Sequence, residues 1–191
     1  MGKVVVSQFI SVDGVVEDPG GSEDWERGGW AFQFDRGDEG NKFKLDEVMA
    51  SDALLLGRAT YEGFAEAWPS RTGEFADKFN GMPKYVVSTT LQDPAWNNTT
   101  VIAEDLPGAV AKLKQEFDGD ILVNGSVQLV RALAEDGLVD EYRFMVFPTV
   151  LGGGKHMFGD TAAAAALKLV DAKPAGETFI LVYEPAPEKD A

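Results

Sequence analysis

The sequence predicts an α/β fold built on a mainly parallel sheet, and three observations carry that expectation. Short apolar runs alternate with stretches of helical spacing along most of the chain, the order expected of a layered α/β protein. Two of the apolar runs break at glycine and open directly into a helix, at Gly57-Arg58 and at Gly125-Ser126. Near the C-terminus the style changes, and two strand-like runs flank a Pro-Ala-Gly turn, which reads as an antiparallel hairpin appended to the sheet.

The elements follow in order. Val4 to Ile10 is apolar enough for a buried strand, and Gly14 to Gly29 is a long, acidic, glycine-rich loop. Gly40 to Ala50 has helical spacing, with Phe43, Leu45, Val48 and Met49 offering an apolar face. Ala53 to Leu56 is the second strand and Thr60 to Ala67 the helix after it. Lys84 to Ser88 and Thr99 to Ala103 are short strands. Leu106 to Phe117 is an amphipathic helix, with Asp105 as its cap and Pro107 in its first turn. A strand at Asp120 to Asn124, a helix at Val127 to Glu135 and a strand at Glu141 to Phe147 come next, and the hairpin pairs Ala166 to Ala172 with Thr178 to Glu184. The alanine run from Ala162 to Ala166 fits a helical turn or a connector equally well.

A chain of 191 residues is long enough to bury a core without staples, and its composition does not shift along its length. We expect one domain over residues 1–185 and a flexible tail over 186–191. There is no cysteine, which excludes disulfides, thiolate chemistry and Cys-ligated metal sites. The acidic residues show no metal-ligand spacing; Glu23-Asp24 and Asp35 to Glu39 read as solvated loop charge. Acidic residues outnumber Lys and Arg by 32 to 17, a net charge of −15, and such a field repels a nucleic-acid backbone. The N-terminal apolar run is too short to span a membrane, so the expectation is the first strand of a cytoplasmic protein.

A helix that starts straight from a strand presents free N–H groups and the positive end of its dipole, a natural anion site. Arg58 adds a permanent cation to one such start, and two of them in a small chain suggest a ligand with several phosphates. Glycine is also the ordinary solution for a tight strand-to-helix turn, and Arg58 could pair with Glu62 on the helix surface. The usual dinucleotide fingerprint, Gly-x-Gly-x-x-Gly with an acidic residue further on, is missing after every strand.

Leu54-Leu-Leu-Gly-Arg-Ala-Thr-Tyr-Glu62, followed by Tyr85-Val-Val-Ser-Thr-Thr90 and Val123-Asn-Gly-Ser126, resembles the cofactor-binding half of the dihydrofolate reductase superfamily. With Ser11-Val-Asp-Gly14 early, and Gly137-Leu-Val-Asp-Glu141 and Pro148-Thr-Val-Leu-Gly-Gly153 late, the chain looks closest to the reductase (C-terminal) domain of the bifunctional riboflavin-biosynthesis deaminase-reductase and its stand-alone relatives. The resemblance covers about Val4 to Tyr183. It implies a dihydrofolate-reductase-like three-layer fold and an NADPH-dependent reductase, with a ribosylaminopyrimidine-related acceptor, acting as a homodimer.

Carried onto this chain, the resemblance places cofactor phosphate at Gly57, Arg58 and Thr60. Ser88, Thr89 and Thr90 would approach the adenosine ribose and its 2′-phosphate, and Gly125, Ser126, Val127 and Gln128 would bring helix amides to the pyrophosphate. Asp13 would border the nicotinamide and take the catalytic role, although Asp-Gly is equally a turn signal. Phe9, Trp25, Trp30 and Phe34, with Gly152 and Gly153, would line the acceptor site; the loop aromatics fit a cap on the core or on a subunit interface equally well, and the glycines a loop hinge. Folate reductases place a carboxylate in the helix after this loop; Asp35, Asp38 and Glu39 are near, and none falls in clear register. His156, the only histidine, reads as loop structure. Two rivals stay open: a non-catalytic nucleotide-binding or interaction protein that keeps the fold, and a true folate reductase.

Overall fold

The computed structural model describes residues 1–22, 25–159 and 165–187. Among these residues the strands are β1 (Lys3–Ser11), β2 (Ser51–Gly57), β3 (Lys84–Val87), β4 (Thr99–Ile102), β5 (Asp120–Val123), β6 (Glu141–Phe147), β7 (Leu167–Ala175) and β8 (Thr178–Pro185). They form one sheet in the order β4-β3-β2-β5-β1-β6-β8-β7. The six strands from β4 to β6 in that order run parallel, and β8 is antiparallel to both β6 and β7. The mainly parallel sheet with an appended hairpin is therefore what the chain builds.

Helices cover both faces. On one, α4 (Leu106–Glu116) and α5 (Val127–Glu135) pack Val110, Leu113, Leu129 and Leu133 onto Val4, Val6, Ile121 and Val123. On the other, Val48 of α1 (Gly37–Ala50), Tyr61 of α2 (Arg58–Ala67) and Phe79 of α3 (Glu74–Gly81) pack onto Val5, Leu54, Leu56 and Leu122. Covered on both sides, a central strand has no solvent face, so β1 at Val4–Val6 and β2 at Ala53–Leu56 carry consecutive apolar residues rather than alternating ones. A third cluster gathers Trp30, Met145, Phe147 and Ile180 where β6 meets the hairpin.

Some boundaries move. The sequence pattern missed α3, bounded by Gly73 and Met82, and a 3₁₀ turn at Trp30–Gln33. Helix α1 begins at Gly37, and its inward face is not the expected one: Glu47 is buried while Met49 is exposed. Pro174 and Ala175 belong to β7 and pair with Phe179 and Thr178, so the hairpin turn sits at Gly176-Glu177. Proline is tolerated there because β7 is the edge of the sheet. Glu23-Asp24, most of the alanine run and residues 188–191 of the expected tail lie outside the described residues.

Lys84, which opens β3, has no exposed surface. Its ammonium donates to the carbonyls of Asn80 (2.7 Å), Met82 (2.9 Å) and Asn97 (3.1 Å) and lies 4.3 Å from the centroid of the Trp96 ring. It thereby closes the C-terminal end of α3 against the turn before β4. Burial pushes its pKa down to about 8.

Candidate active site

The carboxyl ends of β1, β2, β3 and β5 open onto one cleft of about 1900 Å³. In open α/β sheets ligands gather at such ends. The two glycine junctions meet there: the N–H of Gly57 donates to the carbonyl of Gly125 at 3.0 Å. A Cβ on Gly57 would lie 2.9 Å from the Ser126 backbone nitrogen and 2.2 Å from its Oγ. Gly125, at φ 132°, would put a Cβ 2.6 Å from Thr60 Oγ1, and the Gly125–Ser126 peptide is cis. Only residues without side chains let the two junctions approach this closely. The N-termini of α2 and α5 are thus held side by side at the cleft.

Neither helix start is capped by a side chain, whereas Asp105 caps α4 through the N–H of Gly108. The first N–H groups of α2 and α5 are therefore available to an anion in the cleft. Arg58 donates from Nε to Glu62 (2.7 Å) and from Nη1 to Thr90 Oγ1 (2.6 Å). The helix-surface pair and the reach toward the Ser-Thr-Thr turn thus coexist. Ser88 Oγ accepts from the N–H groups of Thr90 (3.2 Å) and Leu91 (3.0 Å), which folds residues 88–91 into a tight turn. All ten residues named for the cofactor, Gly57, Arg58, Thr60, Ser88, Thr89, Thr90, Gly125, Ser126, Val127 and Gln128, line the cleft.

The residues named for the acceptor divide differently. Phe9 lines the cleft; Asp13, Trp25, Trp30, Phe34, Gly152 and Gly153 do not. Asp13 is a fastener between two loops: its carboxylate accepts from Ser11 Oγ (2.7 Å), the N–H of Leu151 (3.1 Å) and the N–H of Gly152 (2.7 Å). The Ser11 hydroxyl first, then the two backbone amides, outweigh desolvation and bring its pKa down to about 2. A carboxylate so occupied is poorly suited to carry a proton to an acceptor, and Asp13 acts as a loop fastener instead of the expected catalytic group. Trp30 is 1% exposed, donates from its indole N–H to the carbonyl of Glu17 and packs edge-on against Phe147. Phe34 packs on the same ring and Trp25 on the same cluster. The aromatics of this loop build the support behind Phe9, itself edge-on to Phe147 at 5.1 Å, rather than the cleft wall. Gly152 and Gly153 face Arg27, and it is Gly154 that reaches the cleft. His156 lines the cleft with its backbone committed, bridged to Val15 and accepting from Arg131.

The sequence pattern missed a polar group on the wall formed by α1. Glu47, 3% exposed, accepts from Ser7 Oγ (2.9 Å) and from Lys44 through Oε1; Lys44 also donates to Ser7 Oγ at 2.7 Å. Glu47 Oε2 has no hydrogen-bond partner and lies 3.7 Å from Arg143 Nη1. Burial works against the charge on Arg143, but Glu47, Glu141 and Asp120 outweigh it and raise its pKa. Gln8 Nε2, also in the cleft wall, is buried without a partner. Ser7, Lys44, Glu47 and Phe9 all line the arm of the cleft that runs along α1.

Comparison with known proteins decides the family. Residues 2–181 match the RibD C-terminal domain. The chain belongs to that family. It is 30% identical over 185 residues to YwjB of Bacillus subtilis (strain 168), an uncharacterized protein, covering 95% of this chain and 97% of YwjB. A putative riboflavin biosynthesis protein from Shewanella sp. PV-4 shares the fold at a TM-score of 0.77 and 19% identity, over 98% of this chain and all of that one. The dihydrofolate reductase of Enterococcus faecalis superposes at a TM-score of 0.59 and 15% identity, over 97% and 98% of the two chains. The RibD C-terminal chain described here therefore has a dihydrofolate-reductase-like fold, with the α/β layers and C-terminal hairpin expected from its sequence. No helix among its described residues is long and apolar enough to cross a membrane.

Proposed function

We propose that this RibD C-terminal chain is a cytoplasmic reductase that binds NADPH along the junction arm of the cleft and passes a hydride to a small acceptor in the α1 arm. The observation that carries the proposal is the Gly57 to Gly125 hydrogen bond, which locks two uncapped helix starts together beside Arg58 and the Ser88–Thr90 turn. Bound there, the nicotinamide would supply the hydride, and the protein's task is to hold and orient. The amides at the starts of α2 and α5 would take the pyrophosphate, and Gly57 and Gly125 would keep side chains out of its way. Arg58 already hydrogen-bonds Thr90, so its guanidinium and the hydroxyls of Ser88 and Thr89 stand together for a further phosphate. A ribosylaminopyrimidine-related acceptor is what the sequence resemblance implies.

The cofactor assignment predicts that NADPH binds at least tenfold more tightly than NADH. Replacing Arg58 with Ala should remove about 1–3 kcal/mol of NADPH affinity and leave NADH little changed, since a charge-assisted hydrogen bond is lost. Calorimetry giving equal affinities for both cofactors, or no NADPH binding, would contradict it.

The proposal includes a homodimer. Leu169, Val170 and Phe179 on the edge hairpin are large, apolar and exposed, and a two-fold pairing would cover them. Light scattering at micromolar concentration should give twice the 20.6 kDa chain mass, and a monomer would refute it.

A further inference from the structure

Beside α1 the cleft wall of this acidic chain gathers cations around Phe9. The chain has a net charge of −15; Arg36, Lys44 and Arg71 line the cleft, and so do Glu47, Glu62 and Glu74. Two of the cations flank one ring, Arg36 at 5.4 Å and Lys44 at 5.5 Å from the Phe9 centroid. Lys44 is spent within the fold, because Ser7 and Glu47 accept its hydrogen bonds and Glu47 balances its charge. Arg36 is not. It is half-buried, and no described side chain or carbonyl accepts from its guanidinium. Its nearest counter-charge, Asp35, turns Oδ1 to the N–H of Gly37. A planar five-donor fork is thus left facing the cleft, partly desolvated and without an acceptor. Phe64, Trp68 and Phe75 also line the cleft, with Trp68 stacked on Phe75 at 5.2 Å and Arg71 over Trp68 at 4.5 Å.

We propose that the α1 arm is a subsite for a flat, singly charged anion, a carboxylate or oxyanion on a conjugated ring, with its charged group on the Arg36 fork and its ring against the aromatic wall. Calling this ligand the hydride acceptor rests on the reductase reading; the subsite itself does not. The preference for a single charge follows from the surroundings. The fork matches a carboxylate through two parallel N–H bonds and brings one positive charge. With Lys44 already neutralised by Glu47, a carboxylate on the fork needs no further counter-charge. The helix starts suited to phosphate lie in the other arm.

The test is a titration of the full chain, without cofactor, followed by tryptophan fluorescence and calorimetry, using orotate as the flat monoanion, uracil as the neutral ring and ribose 5-phosphate as the dianion. Orotate should bind at least tenfold more tightly than either, and Arg36→Gln should remove at least tenfold of orotate affinity while leaving uracil unchanged. Circular dichroism confirms the variant's fold, and Arg36→Lys, which keeps the charge and loses the fork, should fall between. Equal binding of orotate and uracil, tighter binding of ribose 5-phosphate, or an Arg36→Gln variant that binds orotate like the parent would overturn the subsite. NADPH titrated against the same variants separates the two proposals. Arg36→Gln should leave NADPH affinity unchanged, and a chain that never binds NADPH would refute the reductase reading while the orotate series still decides the subsite.

Discussion

Replacing Gly57 with Val should cost both stability and cofactor affinity, because a Cβ at this position runs into Ser126. With the backbone nitrogen of Ser126 2.9 Å from that Cβ, rotating the serine hydroxyl away is not enough, and one junction must move. Overpacking of this kind costs about 1–3 kcal/mol in stability. The larger effect is on binding: once the starts of α2 and α5 part, their amides no longer address one pyrophosphate, and NADPH affinity should fall by about two orders of magnitude, ~3 kcal/mol. Gly81→Ala is the control, since a Cβ there meets nothing within 4 Å. Its stability and NADPH affinity should match the parent. Thermal unfolding and calorimetry on both variants decide the matter, and a Gly57→Val protein with the parent's stability and affinity would show that the close approach of the junctions is not needed.

The second large effect is expected at Lys84. Its ammonium serves three carbonyls, one buried and two part-buried, so Lys84→Met takes the donor from all three. At about 1–3 kcal/mol for the buried Met82 carbonyl and less for the two part-buried ones, offset in part by the apolar side chain, the loss should be about 2–3 kcal/mol, seen as a lower midpoint in urea at constant slope. The pH dependence has a definite sign. With the folded pKa near 8 and the ordinary value 10.5, the unfolded chain holds more protons between those limits, so this group raises stability as pH climbs through that window. The gap between the parent and Lys84→Met should therefore widen from pH 8 to 10.5. A gap that stays constant, or a variant as stable as the parent, would show that Lys84 does not close α3.

The parts of the site that were legible in the sequence are those set by local chain chemistry. A strand that breaks at glycine and starts a helix is written in consecutive residues, so Gly57, Arg58, Gly125 and Ser126 could be placed together before any contact between them was known. The acceptor side depends on contacts distant in sequence. Asp13-Gly14 fits a turn and a site equally well, and only the approach of Leu151 and Gly152 shows where its carboxylate is used. Trp25, Trp30 and Phe34 were visible as a cluster, but whether they faced the cleft or the core was decided by Phe147 on a strand late in the chain. Glu47 was hidden for the opposite reason: in a helix rich in charge it reads as one more solvated residue, and its partner Ser7 lies forty positions away. Helix α3 was missed because Gly73, Asn80 and Gly81 surround a short apolar pattern, whose stability comes from Phe79 packing into the core rather than from its own propensity.

A crystal of the chain grown with NADPH tests the central claim most directly. The account predicts the pyrophosphate within hydrogen-bond distance of backbone amides at both Gly57–Thr60 and Gly125–Gln128, the 2′-phosphate beside Arg58 and the Ser88–Thr90 turn, and the nicotinamide pointing toward Phe9 and Lys44. Density for the dinucleotide anywhere else in the cleft, or phosphates that touch only one of the two helix starts, would contradict it.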